Sequence, residues 1–156
     1  MIKLKIDAGS WVIVCDGRKA LILENIGDHV FPNLHIKEMR EQANPSTHEQ
    51  GSSRPGKVHQ SVGSARSAVE QTDWHDAAER TFLEGLARHL QALATAGVIK
   101  DLIFVAPPRA LGMLRHAYSP AIRRVLRAEI DKDLVKIPVH EIEKHLAHTQ
   151  CKELSV

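Results

Sequence analysis

The stretch "WVIVCDGRKALILE", residues 11–24, holds two apolar runs on either side of Asp16-Gly17. Asp-Gly is typical of a type I′ turn, whose central residues need positive φ, so the stretch predicts a β-hairpin. The first run, Trp11 to Cys15, is apolar at nearly every position, which is typical of a strand covered on both faces. The second run, Ala20 to Leu23, is expected to pair back on the first.

Downstream of the hairpin, the sequence predicts one more strand and then a long loop. In "LHIKEM", residues 34–39, successive side chains are expected to point to opposite faces of a sheet, and this pattern predicts a half-buried third strand. Residues 40–72 have no firm period and are rich in Gly, Ser, Pro and Gln. A loop this long inside a compact domain is usually functional or disordered. We therefore expect a long flexible loop at about residues 42–70.

The main helix is predicted to follow that loop. Thr72 or Asp73 suits the N-cap position, and Gly97 suits the position just after the helix. Between them, apolar residues recur every three or four positions. The predicted inward face consists of Trp74, Ala78, Phe82, Gly85, Leu86, Leu90 and Leu93. The glycine at position 85 on that face indicates a close approach to the sheet.

The second half of the chain alternates between strand and helix patterns. "DLIFVAPP", residues 101–108, predicts a buried strand that its prolines end, with Pro108 at the first position of the next helix. Ser119-Pro120 predicts another helix start. Residues 125–137 stay open between helix and strand, and residues 138–149 predict a helix. Its inward residues are expected to be Val139, Ile142 and Leu146.

Together these elements predict an α/β fold: a mixed β-sheet flanked by helices, with a long loop between the third strand and the main helix. The 156 residues fit a single domain over about residues 1–150, followed by a polar tail at 151–156. The hydrophobic fraction of 43% and the charged fraction of 26% are those of a globular chain. They exclude a wholly disordered or fibrous protein.

Cysteine content and hydropathy indicate the cellular environment. The two cysteines, Cys15 and Cys151, form no disulfide framework or zinc ribbon. The apolar run at the N-terminus is interrupted, unlike that of a secretory signal. No stretch approaches the ~20 apolar residues of a membrane span. We therefore expect a cytoplasmic protein with no membrane partner.

Arg109 is the first candidate for ligand binding. It follows the buried strand and precedes a helix; open α/β sheets bind ligands at the carboxyl ends of their strands, and helix N-termini favour anions. Arg115 belongs to the same basic run, which contains no acid between residues 109 and 128. The alternative is a solvated helix face with ion pairs to Glu129 and Asp131.

The predicted loop is the second candidate. Its segment 51–69 contains basic residues and no acid, which suits a phosphate backbone, although the lack of aromatic residues makes base stacking unlikely there. The candidate residues are Arg54, Lys57, His59, Gln60 and Arg66. The alternative is a disordered surface loop. The net charge of +2 is too weak to identify a nucleic-acid binder by itself.

No motif in the sequence predicts a catalytic, metal or cofactor site. "HEIEKH", residues 140–145, places its two histidines five positions apart, about 140° around a helix, so they do not face one metal ion. No nucleophile elbow, P-loop or dinucleotide fingerprint is present. We therefore predict no catalytic residue, no metal ligand and no cofactor.

Four stretches together resemble a known family. They are "WVIVCDGRKALILE", "GSARSAVEQTDWHDAAERTFLEGLARHL", "DLIFVAPPRALGMLRHAYS" and "EIDKDL". In this order and spacing, over roughly residues 9–148, they resemble the bacterial host-attachment protein family, whose members are described as required for attachment to host cells. The resemblance implies a fold related to the middle domain of archaeal and eukaryotic peptide-chain release factors, which is ribonuclease-H-like.

The resemblance also bears on activity. In release factors the long loop carries Gly-Gly-Gln, which directs water at the peptidyl-tRNA ester. The corresponding stretch here reads "GSSRPGKVHQS", where Gly56 and Gln60 stand too far apart to reproduce that motif. The leading interpretation is therefore a non-catalytic cytoplasmic binding or regulatory protein, with RNA or the ribosome as candidate partners. The alternatives are a hydrolase of an RNA-linked ester or phosphodiester, and a protein-interaction module; the oligomeric state stays open.

Overall fold

The computed structural model describes the backbone of residues 2–43 and 64–151 and the side chains of residues 3–43 and 74–150. Its centre is a five-stranded sheet with the strand order β4-β3-β2-β5-β6. The strands are β2 (Trp11–Cys15), β3 (Lys19–Asn25), β4 (Leu34–Glu41), β5 (Leu102–Ala106) and β6 (Leu126–Asp131). The short strands β1 (Ile2–Lys3) and β7 (Gln150–Cys151) form a separate antiparallel pair.

The sheet is mixed, as the sequence predicts. β3 pairs antiparallel with both β2 and β4, whereas β5 pairs parallel with both β2 and β6. Every residue of β2 and of β5 is buried, because both strands lie inside the sheet and are covered on both faces. The strands predicted at residues 11–15 and within residues 101–108 are thus confirmed. The open stretch 125–137 contains a strand, β6.

Four helices surround the sheet in the described part of the chain. They are α1 (Ser64–Thr95), α2 (Pro108–Ala117), α3 (Pro120–Val125) and α4 (Val139–Ala147). Pro108 and Pro120 occupy the first positions of α2 and α3, where their missing N–H costs nothing. The Ser119 hydroxyl accepts a hydrogen bond from the Ile122 N–H at 3.2 Å, so the predicted cap is confirmed.

Each face of the sheet has its own hydrophobic core. The α1 face packs against α1, α2 and α3; its core includes Ile13, Ile22, Leu86, Leu90, Phe104, Leu114 and Ile122. The α4 face packs against α4 and the N-terminal segment; its core includes Leu4, Val12, Leu23, Ile103, Val105, Ile142 and Leu146. The inward positions predicted for Ile142 and Leu146 are confirmed, and Val139 packs against this core half-buried. Helices therefore cover both faces of one sheet.

The hairpin forms, but its turn differs from the predicted type. Within the described residues, only Gly9 and Gly97 have positive φ, so the prediction of a type I′ turn at Asp16-Gly17 is wrong. The Asp16 carboxylate shapes the turn instead: its Oδ1 accepts hydrogen bonds from the Arg18 and Lys19 N–H groups, both at 2.8 Å. An aspartate that bonds the backbone ahead of it provides a turn without positive φ.

Helix α1 begins earlier than the sequence predicts. Thr72 and Asp73 lie within the helix, which starts at Ser64, so the predicted cap is wrong and the helix includes the last part of the predicted loop. Gly97 follows the helix with a φ of 79°, as predicted. The inward face is also shifted: Leu83 is fully buried, whereas Trp74 is 45% exposed.

Gly85 and β4 give two further corrections. A Cβ built at Gly85 would meet only Arg88 Nη2, at 3.8 Å, so the close approach predicted there is wrong. Strand β4 is longer than predicted, and Ile36 and Met39 are exposed. The physical reason is its position at the edge of the sheet, combined with a register shift against β3 between Ile22 and Leu23.

Candidate functional site

A crevice of about 300 Å³ opens at the carboxyl ends of β2 and β5. We call it the charged crevice, after the charged residues in its lining: Asp16, Arg18, Glu79, Arg109 and Lys136. From β2 the chain passes to β3 and β4 on one side, and later returns to β5 on the other side. Such a reversal of strand order is where open α/β sheets place their ligands.

Arg109 is held at the mouth of this crevice by two carboxylates of α1. Its Nε lies 3.2 Å and its Nη2 3.0 Å from Glu79 Oε1, and Nη2 also contacts Asp76 Oδ1. The hydrogen bond to Asp76, followed by the charges of Asp76 and Glu79, raises the pKa of Arg109. The guanidinium is thus fixed in direction while its side chain stays 59% exposed.

The position of Arg109 agrees with the sequence prediction. It lies three positions after the end of β5 and is the second residue of α2, with Pro107 at the cap. The first helical bond runs from the Leu111 N–H to the Pro107 carbonyl at 3.0 Å. The N–H groups of Arg109 and Ala110 precede that bond, so they belong to the positive end of the helix.

Gly17 brings the hairpin turn against α1. A Cβ built on Gly17 would lie 2.7 Å from the Cγ, Cδ and Oε2 atoms of Glu79. The Glu79 side chain therefore occupies the space that any other residue at position 17 would need. This close fit joins the β2–β3 turn to the carboxylate that holds Arg109.

Arg115 lies in a different environment. Its Nε and Nη2 donate to Glu129 Oε1 at 3.0 and 2.8 Å, and the Tyr118 hydroxyl donates to Glu129 Oε2 at 2.6 Å. Burial and then this hydrogen bond raise the pKa of Tyr118. Arg115 therefore connects α2 to β6, as in the alternative that pairs the basic run with Glu129, and it does not line the charged crevice.

A groove of about 580 Å³ lies beside the charged crevice, between the end of β4 and α1. Its α1 side is mostly apolar and includes Trp74, Ala78, Phe82 and Gly85. Its β4 side is formed by residues 40–43, among them Arg40 and Glu41. The sequence predicted that Trp74 and Gly85 lie on the inward face of α1. The groove that these residues line was therefore not predicted.

The remaining predicted residues lie outside the description. Arg54, Lys57, His59 and Gln60 fall in residues 44–63, and Arg66 lies in α1 at a position whose side chain is not described. Among the described side chains, those of residues 3–43 and 74–150, no three His, Cys, Asp or Glu residues are grouped to hold a metal ion. No helix in that part of the chain is long and apolar enough to cross a membrane.

Of the charged residues in and beside the crevice, the sequence identified only Arg109 as a site residue. Arg18 directly follows the Asp16-Gly17 turn, and that adjacency was the available signal. Asp76 and Glu79 gave no signal of a site either, because acids near the start of a helix are already accounted for by the helix dipole. Lys136 carried no signal, because it belongs to the connection that follows β6.

The sequence matches one family of known proteins over most of its length. A model of the family described as "Protein required for attachment to host cells" matches residues 11–146. The chain is also similar to "Uncharacterized protein RP470" of Rickettsia prowazekii (strain Madrid E), with 23% identity over 136 residues, covering 85% of this chain and 89% of that protein. The family match includes all five strands of the central sheet and the whole charged crevice. The chain therefore belongs to the family of proteins required for attachment to host cells.

Proposed function

We propose that this protein is a cytoplasmic, non-catalytic binding protein that receives an anionic group of an RNA or ribosomal partner in the charged crevice. One observation carries the proposal: Arg18, Arg109 and Lys136 converge at the carboxyl edge of β2 and β5, beside the start of α2. A guanidinium is suited to phosphate because its N–H groups can donate two parallel hydrogen bonds. RNA supplies such phosphates in a regular array.

In this proposal, two carboxylates of α1 set the affinity of the charged crevice for phosphate. Asp76 and Glu79 compete with an incoming phosphate for the Arg109 guanidinium, and they offset the positive potential of the crevice. Binding therefore requires an exchange of partners at Arg109, and the affinity of the crevice alone is modest. Removal of one carboxylate should make phosphate binding tighter.

The relation to the middle domain of release factors is part of the same proposal. A mixed sheet with helices on both faces supports it, as does the long connection between β4 and α1. The lack of Gly-Gly-Gln in that connection supports a role in binding over ester hydrolysis. The small number of cysteines supports the cytoplasm as the compartment.

The proposal is tested by RNA-binding titrations of the full chain at several salt concentrations. Arg109→Ala should weaken binding across RNA sequences and lower the salt slope by about one, because one phosphate contact is lost. Glu79→Gln should strengthen binding, because it frees the guanidinium. Arg124→Ala removes an exposed arginine outside the crevice and is the matched control; it should leave the slope unchanged.

Two results would overturn the proposal. One is the absence of salt-dependent RNA binding by the unaltered protein. The other is an equal effect of Arg109→Ala and Arg124→Ala on RNA binding, which would mean that the crevice contributes no more than any exposed arginine.

A protein-interaction module is the second candidate, and the groove between β4 and α1 favours it. The groove has apolar residues on its α1 side and an exposed tryptophan, Trp74. Aromatic and apolar residues in a concave surface are typical of peptide recognition. Capture of a partner that persists after ribonuclease treatment distinguishes this candidate from the RNA proposal.

A further inference from the structure

The pairing of β4 with β3 determines which backbone groups of β4 point outward. The Gln42 N–H donates to the Arg18 carbonyl at 2.7 Å, so the polar groups of Gln42 point toward β3. In an antiparallel pair, successive residues point alternately toward the partner and away from it. The N–H and C=O of Met39 and Glu41 therefore point away from β3, along an edge where the described part of the sheet has no further strand.

The other end of the same edge is closed. The Leu34 N–H donates to Glu143 Oε2 of α4 at 2.7 Å. The register shift between Ile22 and Leu23 leaves Lys37 without a directly opposed residue on β3, which is the pattern of a β-bulge. The segment of β4 that can accept another strand is therefore centred on Met39.

The side chains of this segment divide between the two faces of the sheet. Glu38 and Arg40 are on the α1 face: Glu38 Oε2 lies 2.6 Å from His89 Nε2 of α1, and Arg40 lines the groove beside α1. Met39 pairs with Leu21, a core residue of the α4 face, yet Met39 itself is 50% exposed. An acid and a base thus flank one exposed apolar residue.

We propose that a second copy of this chain pairs with β4 as an antiparallel strand, about a two-fold axis through Met39. In this register Met39 opposes Met39 of the second copy, and Glu38 opposes Arg40 of the second copy. The symmetry repeats this contact, so each dimer contains two Glu38–Arg40 pairs between the copies. Opposite charges directly across two strands stabilise pairing, and like charges oppose it.

The same pattern disfavours other symmetric registers. A shift of the axis by one residue toward the N-terminus places Glu38 opposite its own copy. A shift toward the C-terminus places Arg40 opposite its own copy. Charged residues and bulges are the usual means by which an edge strand avoids unrelated strands. In β4 they exclude those partners and leave one self-complementary register.

The interaction joins two sheets into one continuous sheet, with Met39 of both copies in contact on the α4 face. Only a few residue pairs take part, because Glu143 and the bulge close the rest of the edge. The dimer is therefore concentration-dependent. It does not depend on the charged crevice, which opens at the carboxyl ends of β2 and β5, two strands further into the sheet.

The test measures the oligomeric state by sedimentation velocity over a range of protein concentrations. The unaltered protein should form a dimer as concentration rises. Glu38→Arg and Arg40→Glu should each be monomeric, because a dimer of either variant would place two pairs of like charges directly across the two strands. An equal mixture of the two variants should form a heterodimer, because each arginine of the first variant then opposes a glutamate of the second.

Folding is controlled in the same experiment. Each variant loses the ion pair between Glu38 and Arg40 of the same chain, 3.5 Å long. Glu38→Arg also loses the contact with His89, whereas Arg40→Glu leaves that contact available. Circular dichroism of each variant should match that of the unaltered protein. A protein that is monomeric at every concentration would overturn the proposal, as would a mixture that stays monomeric while both variants are folded and the unaltered protein dimerises.

A cross-linking experiment checks the register. Opposed residues that exchange both hydrogen bonds have Cα atoms about 5.5 Å apart, a separation that a disulfide can span. Met39→Cys in a Cys151→Ser background should therefore form an intermolecular disulfide upon oxidation. Glu41→Cys in the same background should not, because the register separates the two copies of residue 41 by roughly 14 Å along the strand. Equal cross-linking of the two variants would contradict the register.

Discussion

At the scale of single residues, Gly17 leaves room for the side chain of a neighbour, whereas its own backbone does not need a glycine. Its φ is not positive, so the turn itself would accept another residue. The Glu79 side chain fills the space where a Cβ would lie, and Glu79 in turn holds Arg109. The missing side chain of Gly17 therefore helps to orient a guanidinium in the charged crevice. This role was invisible in the sequence, where Asp-Gly indicated only a turn.

Gly85 lacks such a neighbour, and this gives a prediction about stability. It lies in the interior of α1, and a Cβ there would approach only Arg88 Nη2, at 3.8 Å. Gly85→Ala should therefore raise the free energy of unfolding by roughly 0.5–1 kcal/mol, the usual gain of alanine over glycine in a helix. Urea denaturation measures it, and Ala77→Gly in the same helix should have the opposite sign. A loss of stability in Gly85→Ala would contradict the prediction.

At the scale of elements, the sequence predicted those whose signals are local. The strands of the hairpin, β5 and the helix starts at Pro108 and Ser119 depend on neighbouring residues, and all of them form. The start of α1 was misplaced because its first turns lack the apolar period used to find helices. The exposure of β4 was also missed, since whether an alternating strand lies inside a sheet or at its edge depends on tertiary pairing.

Tyr118 contacts several of these elements, and its raised pKa predicts how the free energy of unfolding changes at alkaline pH. Its ring stacks on Phe104 of β5 at 5.4 Å between centroids, and its hydroxyl donates to Glu129 of β6. The pKa of Tyr118 is raised in the folded protein. Its contribution to the free energy of unfolding is therefore complete below the pKa of about 10 that tyrosine has in the unfolded chain. Above that pH the unfolded chain loses a proton that the folded chain keeps, so stability falls by about 1.4 kcal/mol per pH unit.

Tyr118→Phe isolates this contribution, because the chain has only one tyrosine. The variant is less stable at neutral pH through the lost hydrogen bond to Glu129, but its stability should fall less steeply between about pH 10 and 11. Burial also raises the pKa of the Cys15 thiol, and that contribution is common to both proteins. Chemical denaturation at several pH values measures the two slopes. Parallel slopes would contradict the prediction.

At the scale of the whole molecule, the two ends of the parallel strands carry charged groups of different kinds. The carboxyl end forms the charged crevice, in which Arg109 is 59% exposed. The amino end is closed by Arg127 and Asp101, whose side chains are 24% and 27% exposed. The sequence located Arg109, since its signal lies within one strand–helix junction. The crevice as a set, and the pairing of Arg127 with Asp101, depend on strands that are distant in the chain.

The ion pair of Arg127 with Asp101 at the amino end of the strands should contribute to the free energy of unfolding, in contrast to the charged crevice. Arg127 Nε and Nη2 donate to the two Asp101 oxygens at 2.8 Å, and the Ser10 hydroxyl also donates to Asp101. These contacts join the starts of β2, β5 and β6. Arg127→Ala leaves a partly buried carboxylate without its guanidinium, so it should lower the free energy of unfolding by about 2 kcal/mol.

The control for this prediction is Arg124→Ala, which removes an exposed arginine of α3 and should change stability by no more than about 0.5 kcal/mol. Urea denaturation of both variants at about pH 7 gives the comparison. Arg127→Ala should leave the salt slope of RNA binding unchanged, because Arg127 lies at the opposite end of the strands from the charged crevice. Equal stability of the two variants would mean that the ion pair at the amino end contributes no more than a solvated surface contact. A change in salt slope would instead assign Arg127 to the binding surface.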